Sequence, residues 1–165
     1  STQSTGILEF VQEAILKLIT KLSGLTQQEI DNSKDREVKN GCLILTKQEY
    51  GSEAFKCRND IKFVIAKNLK YVPYCLFYQS RLQLAFMPEV ESIANHAFWE
   101  CPLTLICFLK VKSVGTWAFQ GCSQLSKLFL PVCEELCYNC FNRCERIKIL
   151  NLPRVKKIGN EQFSG

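Results

Sequence analysis

The sequence has one histidine, one methionine and eight glycines, and no glycine sits in a phosphate-binding loop. Nucleotide chemistry therefore has no support in it. There is no paired-carboxylate site and no Ser-His-Asp set. A catalytic thiol would have only His96 as a base, and no cofactor or catalytic residue is expected. No segment approaches the ~18–20 uninterrupted apolar residues of a membrane span. The apolar stretch near the start is interrupted by Glu9, Glu13 and Lys17, which spoils it as a secretion-signal core. Charge is not lopsided either. Against 21 Lys and Arg stand 16 Asp and Glu, a net +5 that permits an acidic partner without requiring one.

Cysteine is what the chain has in abundance, ten in 165 residues. Small secreted domains use such numbers as disulfide scaffolds because they lack core. With 47% hydrophobic residues this chain has core to spare, so reduced, mostly buried thiols and a cytoplasmic location are expected.

Internal periodicity carries the architecture. Phe55, Phe77, Phe98, Phe119, Phe141 and Phe163 recur every 21 or 22 residues. A small residue often precedes them (Ala54, Ala97, Ala118, Cys140), and Cys101, Cys122 or Cys144 follows three residues later. Between these landmarks runs L-x-x-L-x-L, clearest at Leu125, Leu128 and Leu130. Further apolar positions follow at Leu69, Val90, Val111, Cys133 and Val155, then at Val72, Ile93, Val114, Leu136 and Ile158. One such unit cannot bury its apolar face alone, so successive units must stack and share a core. The period-two alternation within L-x-L predicts a strand, and Pro88 and Pro131 mark where it ends.

The frame P-x-V-x-x-I-x-x-x-A-F-x-x-C-x-x-L-x-x-L-x-L, read over 88–108 and 111–130, resembles the BspA-type leucine-rich repeat. The resemblance covers about residues 42–165, with Arg58 and Ser80 at the cysteine position and Gln162 in place of Ala as departures. It implies an α/β, right-handed solenoid with a concave parallel sheet, no catalytic residues, and kinship with surface or adhesion proteins of bacteria and parasitic protists. Residues 1–41 are expected to form a cap. Within it, 6–22 make an amphipathic helix whose apolar side is Ile7, Val11, Ala14, Ile15, Leu18 and Leu22. Gly24 stops that helix, Thr26 and Glu29 have capping-box spacing, and Asn40-Gly41 turns into a first strand at 42–46. The helix is expected to close the N-terminal end of the core. The sequence stops at 163–165 in mid-signature, which points to a further unit or a partner at that end.

Cys133, Cys137, Cys140 and Cys144 could hold zinc, but the repeat accounts for all except Cys137, so no metal is expected. Positive charge gathers at Arg143, Arg146, Lys148, Arg154, Lys156 and Lys157 without an aromatic platform, so no nucleic acid is expected. The candidate site lies on the strand face turned away from the core: Phe63 and Ile65, Leu84 and Phe86, Leu105 and Cys107, Lys127 and Phe129, Ile149 and Asn151. Eight of the ten are apolar, which amounts to a strip of roughly 400–500 Å². From this follows a non-enzymatic module binding a protein partner (an apolar helix or an extended segment) or a second copy of itself. On this reading Phe86→Asp leaves stability unchanged. Surface adhesion, a fixed place in a larger assembly, and cover of the strip by the chain itself remain the alternatives.

Overall fold

The computed structural model describes residues 2–160, with side chains from residue 6 onward. The expectations for Gln162 and Phe163 lie outside the described residues. Two helices, α1 (Thr2–Ser23) and α2 (Gln27–Asp31), precede twelve short strands. A hairpin of β1 (Glu37–Lys39) and β2 (Cys42–Ile44) leads into the coils. Each coil then contributes a three-residue strand to the concave floor: β3 (Phe63–Ile65), β5 (Leu84–Phe86), β7 (Leu105–Cys107), β9 (Lys127–Phe129) and β11 (Ile149–Asn151). It adds a two-residue strand to a flanking sheet: β4 (Tyr71–Val72), β6 (Ser92–Ile93), β8 (Ser113–Val114), β10 (Glu135–Leu136) and β12 (Lys157–Ile158). Among the described residues the paired strands of neighbouring coils are all parallel and β1 alone runs antiparallel, on β2; the flanking strands form one sheet, whereas the floor is two, β1-β2-β3-β5 and β7-β9-β11.

The core is the expected stack. Phe77, Phe98, Phe119 and Phe141 are fully buried with their rings nearly parallel, 5.1–5.6 Å between centroids and 5–10° between planes. That spacing falls in the range of favourable offset stacking. The apolar landmarks from Ile61 to Leu136 are buried beside them. In the coil of β11 the same positions open up, and Leu150 and Ile158 are exposed.

Cysteine recurs at one column for a reason beyond size. Cys101, Cys122 and Cys144 each donate S–H to the carbonyl of the phenylalanine one coil back (Phe77, Phe98 and Phe119) at 2.9–3.2 Å. That carbonyl already accepts the N–H three residues on, as Ser80 N–H to Phe77 O shows. The thiol thus fills the second lone pair of a buried oxygen while staying small and otherwise apolar.

The convex turns carry a repeated strain. The residues two before and two after each of five phenylalanines have positive φ, for example His96 (58°) and Glu100 (53°) around Phe98, and only Gly121 among these ten is glycine. Left-handed backbone in non-glycine residues costs on the order of 1 kcal/mol each. It is held by a ladder in which these residues and the Phe between them donate N–H to the next coil: His96 to Thr116, Phe98 to Ala118, Glu100 to Gln120, at 2.7–3.1 Å.

The N-terminal segment is only partly as expected. Gly24 (φ 71°) ends α1, Thr26 and Glu29 form the capping box of α2, and Asn40-Gly41, both with positive φ, turn the hairpin. The long helix, however, does not close the end of the core. The edge of the first coil is covered by β1, with Val38 packed on the core, and α1 lies lengthwise in the concavity over β3, β5 and β7. Its buried side is Leu8, Gln12, Ile15 and Ile19, while Ile7, Leu18 and Leu22 of the expected apolar side are exposed. Apolar residues occupy more than half of this helix's circumference, so the pattern alone did not fix which arc docks.

Candidate functional site: the concave floor

The structure places the ten expected site residues on the concave face, two per strand, across two sheets that part between β5 and β7. It does not leave them open. Phe63, Ile65, Leu84, Phe86 and Cys107 are buried against Ile15, Ile19, Leu25 and Ile30 in a second small core, separate from that of the coils. Leu105 and Phe129 pack at its margin, and Asn151 is half-buried. Only Lys127 and Ile149 are exposed. The expectation of an exposed strip is therefore corrected for β3, β5 and most of β7. The physical reason is that the chain supplies its own apolar helix. Burying four large apolar side chains and a cysteine at about 25 cal/mol per Å² outweighs holding them in water for a partner.

Polar contacts fix where α1 lies. The buried Gln12 side chain donates Nε2–H to the Cys107 carbonyl (3.4 Å), and Cys107 Sγ–H points at the Leu8 carbonyl (3.6 Å). At the other end Asn40 donates Nδ2–H to the carbonyl of Ser23, 2.8 Å away. Counterpart carbonyls on the other floor strands accept an N–H from a neighbouring coil, as Phe86 O does from Ala66 and Phe129 O from Phe108. Gln12 therefore satisfies a carbonyl where α1 crosses β7.

Past β7 the floor continues into β9 and β11, where Lys127 and Ile149 are exposed and Phe129 and Asn151 half-buried. The Asn151 Oδ1 is buried and unpartnered. Along the rim, acids and bases are matched between coils. Glu89 bridges Lys70 (2.8 Å) and Lys110 (2.6 Å), and Lys156 pairs with Glu134. The hydrogen bonds from Lys110 and Lys70 pull the Glu89 carboxyl down to about 2. Lys127, Arg143, Lys148 and Arg154 have no such acid within 4.0 Å among the described residues.

The convex side holds a feature that the sequence analysis did not single out. Tyr74, Tyr78, His96, Trp99, Trp117 and Tyr138 form a belt of ring contacts across four coils, with His96 stacked on Trp99 at 5.0 Å. The available signal was the aromatic residue directly after Phe77 and Phe98, and Trp117 and Tyr138, two residues before Phe119 and three before Phe141. Burial lowers the imidazole pKa, and His96 Nδ1 has no hydrogen-bond partner.

All ten cysteines are thiols. Desolvation pushes Cys42, Cys101 and Cys107 up to about 12, so they are poor nucleophiles at neutral pH. Among the described residues no three His, Cys, Asp or Glu are grouped to hold a metal ion. In native protein a maleimide is expected to label exposed Cys57 first and half-buried Cys137 more slowly, read by peptide mass spectrometry. Rapid labelling of Cys101 or Cys122 would contradict the buried ladder.

Parallel coils of 21–22 residues, each turning on a strand, a buried phenylalanine and a hydrogen-bonded cysteine, define a leucine-rich-repeat solenoid. The chain belongs to the BspA-type leucine-rich repeat family, whose model for the BspA type leucine rich repeat region matches six copies over residues 48–165. No curated protein and no solved structure matched it. No helix among the described residues is long and apolar enough to cross a membrane.

Proposed function

We propose that this chain is a non-enzymatic protein-interaction module that takes an apolar, acid-flanked segment of a partner on the β9–β11 end of its concave floor. The family is one often used for protein–protein contact, and the floor at β9 and β11 carries the observation on which the reading rests. Exposed Ile149 and half-buried Phe129 lie beside Lys127 and Lys148, whose charges no acid neutralises among the described residues. An apolar anchor gives affinity, and unmatched lysines select for acidic flanks and speed encounter.

The test is capture from native lysate, with Ile149→Asp and Phe129→Asp beside the unaltered chain. Ile149 is 44% exposed, so its substitution should shift stability by no more than about 0.5 kcal/mol. Affinity should fall more than about tenfold, as for a central anchor, and should also fall with added salt. Retained binding in both variants overturns the reading.

The aromatic belt favours a second docking surface, since Trp and Tyr are enriched where interfaces concentrate their energy. A partner lost with Trp99→Ala and Trp117→Ala, and kept with Ile149→Asp, assigns the contact to the convex side. We place the module in a reducing, cytoplasmic setting because its thiols are mostly buried and used as hydrogen-bond donors. Denatured, unreduced protein should take up close to ten equivalents of alkylating reagent. Four or more protected cysteines would favour the cell-surface adhesion alternative.

A further inference from the structure

Among the described residues the concave floor parts at one place, between β5 and β7. At the other coil boundaries the residue just after one floor strand donates its N–H to the last residue of the next. Leu45 reaches Ile65, Ala66 reaches Phe86, Phe108 reaches Phe129 and Leu130 reaches Asn151, at 2.9–3.1 Å. The same rung between β5 and β7 would run from Met87 N–H to the Cys107 carbonyl, and it is not made. That carbonyl accepts the Gln12 side chain instead, at 3.4 Å. Met87 is fully buried, and its N–H has no acceptor among the described residues. Elsewhere the same two coils stay joined: Thr104 N–H reaches Gln83 O, Gly115 reaches Ile93 O and Phe98 reaches Ala118 O, at 2.8–3.1 Å. The break therefore lies where α1 crosses the floor, packed on β3 and β5 to one side of it and on β7 to the other.

We propose that α1 is a removable strap that wedges the floor open, seated in a groove that takes an amphipathic helix and that a partner's helix of the same pattern can fill in its place. The docked state carries a direct cost, because a buried donor without an acceptor gives up its hydration for nothing. Release of α1 removes that cost. Gln12 leaves the Cys107 carbonyl, Met87 N–H takes it, and the floor closes into one sheet from β1 to β11. The chain can make this change because the coils keep a core of their own, separate from the one under the helix. The occupant shows what the groove asks of a helix. Leu8, Ile15 and Ile19 supply apolar side chains on one helix face, and Gln12 on the same face supplies an amide for the open carbonyl. The strap acts on β3, β5 and β7, whatever binds at the β9–β11 end.

Scalar coupling through hydrogen bonds, measured by nuclear magnetic resonance on the full chain, reads each rung directly. In the unaltered chain it should connect Ala66 with Phe86 and Phe108 with Phe129, and be absent between Met87 and Cys107. Ile15→Asp with Ile19→Asp should free the helix, whose new charges then lie in water, and the Met87–Cys107 coupling should appear. An excess of a synthetic peptide of residues 2–23 should refill the groove and abolish that coupling, and the same peptide with both aspartates should not. Should the aspartates cost the coils their fold, Ile15→Ala with Ile19→Ala puts no charge under the helix. The coupling should then grow in step with the amide protection that α1 loses. A Met87–Cys107 coupling in the unaltered chain overturns the wedge. So does its absence in a folded variant whose amides over 8–23 have lost protection. A peptide that leaves the closed floor unchanged overturns the groove.

Discussion

Replacing Phe86 with aspartate is expected to lift α1 off the concave floor. Phe86 lies on the central strand beneath the helix and is only 6% exposed, enclosed by apolar neighbours on α1 and on the strand beside it. A carboxylate there would lose its hydration with no donor in reach, a cost of several kcal/mol and among the largest a single substitution produces. The chain has a cheaper escape than global unfolding, because the coils keep their own core without the helix. The cost is therefore capped at the free energy that docks α1. Two readouts follow: helical circular dichroism falls, since a free helix of this length is marginal in water, and Cys107 becomes open to alkylation. A variant that melts normally and keeps Cys107 unreactive would mean that the helix does not cover β5.

The Phe119→Ala variant should lose about 3–5 kcal/mol in chemical denaturation, the usual range for a fully buried aromatic. Its ring lies between Phe98 and Phe141, 5.1 and 5.4 Å away, so truncation opens a cavity shared by three coils. Repeat proteins hold together through nearest-neighbour interfaces, and this one substitution weakens two of them at once. A loss below about 1 kcal/mol would show that the phenylalanine column is not an internal stack.

The two substitutions differ in how readily the sequence announces their outcome. Phe119 repeats at a fixed period with a Cys three residues later, and only stacking explains such regularity. Phe86 also stands in a regular column, but that column faces away from the repeat's own core. What meets it is decided by a segment outside the repeat. The helix docks on an arc that only partly overlaps the apolar side read from its pattern, and Gln12, outside that side, proved to be the residue that bonds Cys107. Strand register, Asn40-Gly41 and the capping box rest on local chemistry and were legible. The left-handed pairs around each phenylalanine were not, because Glu53, His96 or Trp117 carries no signature for positive φ. The convex aromatic belt escaped for a related reason: its rings come from adjacent coils at unequal offsets, and only the stacking brings them together.

The most direct test of the closed concave face is native-state hydrogen exchange over 8–23. A docked α1 should show amide protection well above that of an isolated helix, and Ile15 and Ile19 should be among its slowest residues. Exchange of these amides at the rate of a free helix, with the coils still protected, would contradict the closed face and leave the strip from Phe63 to Phe129 open to a partner.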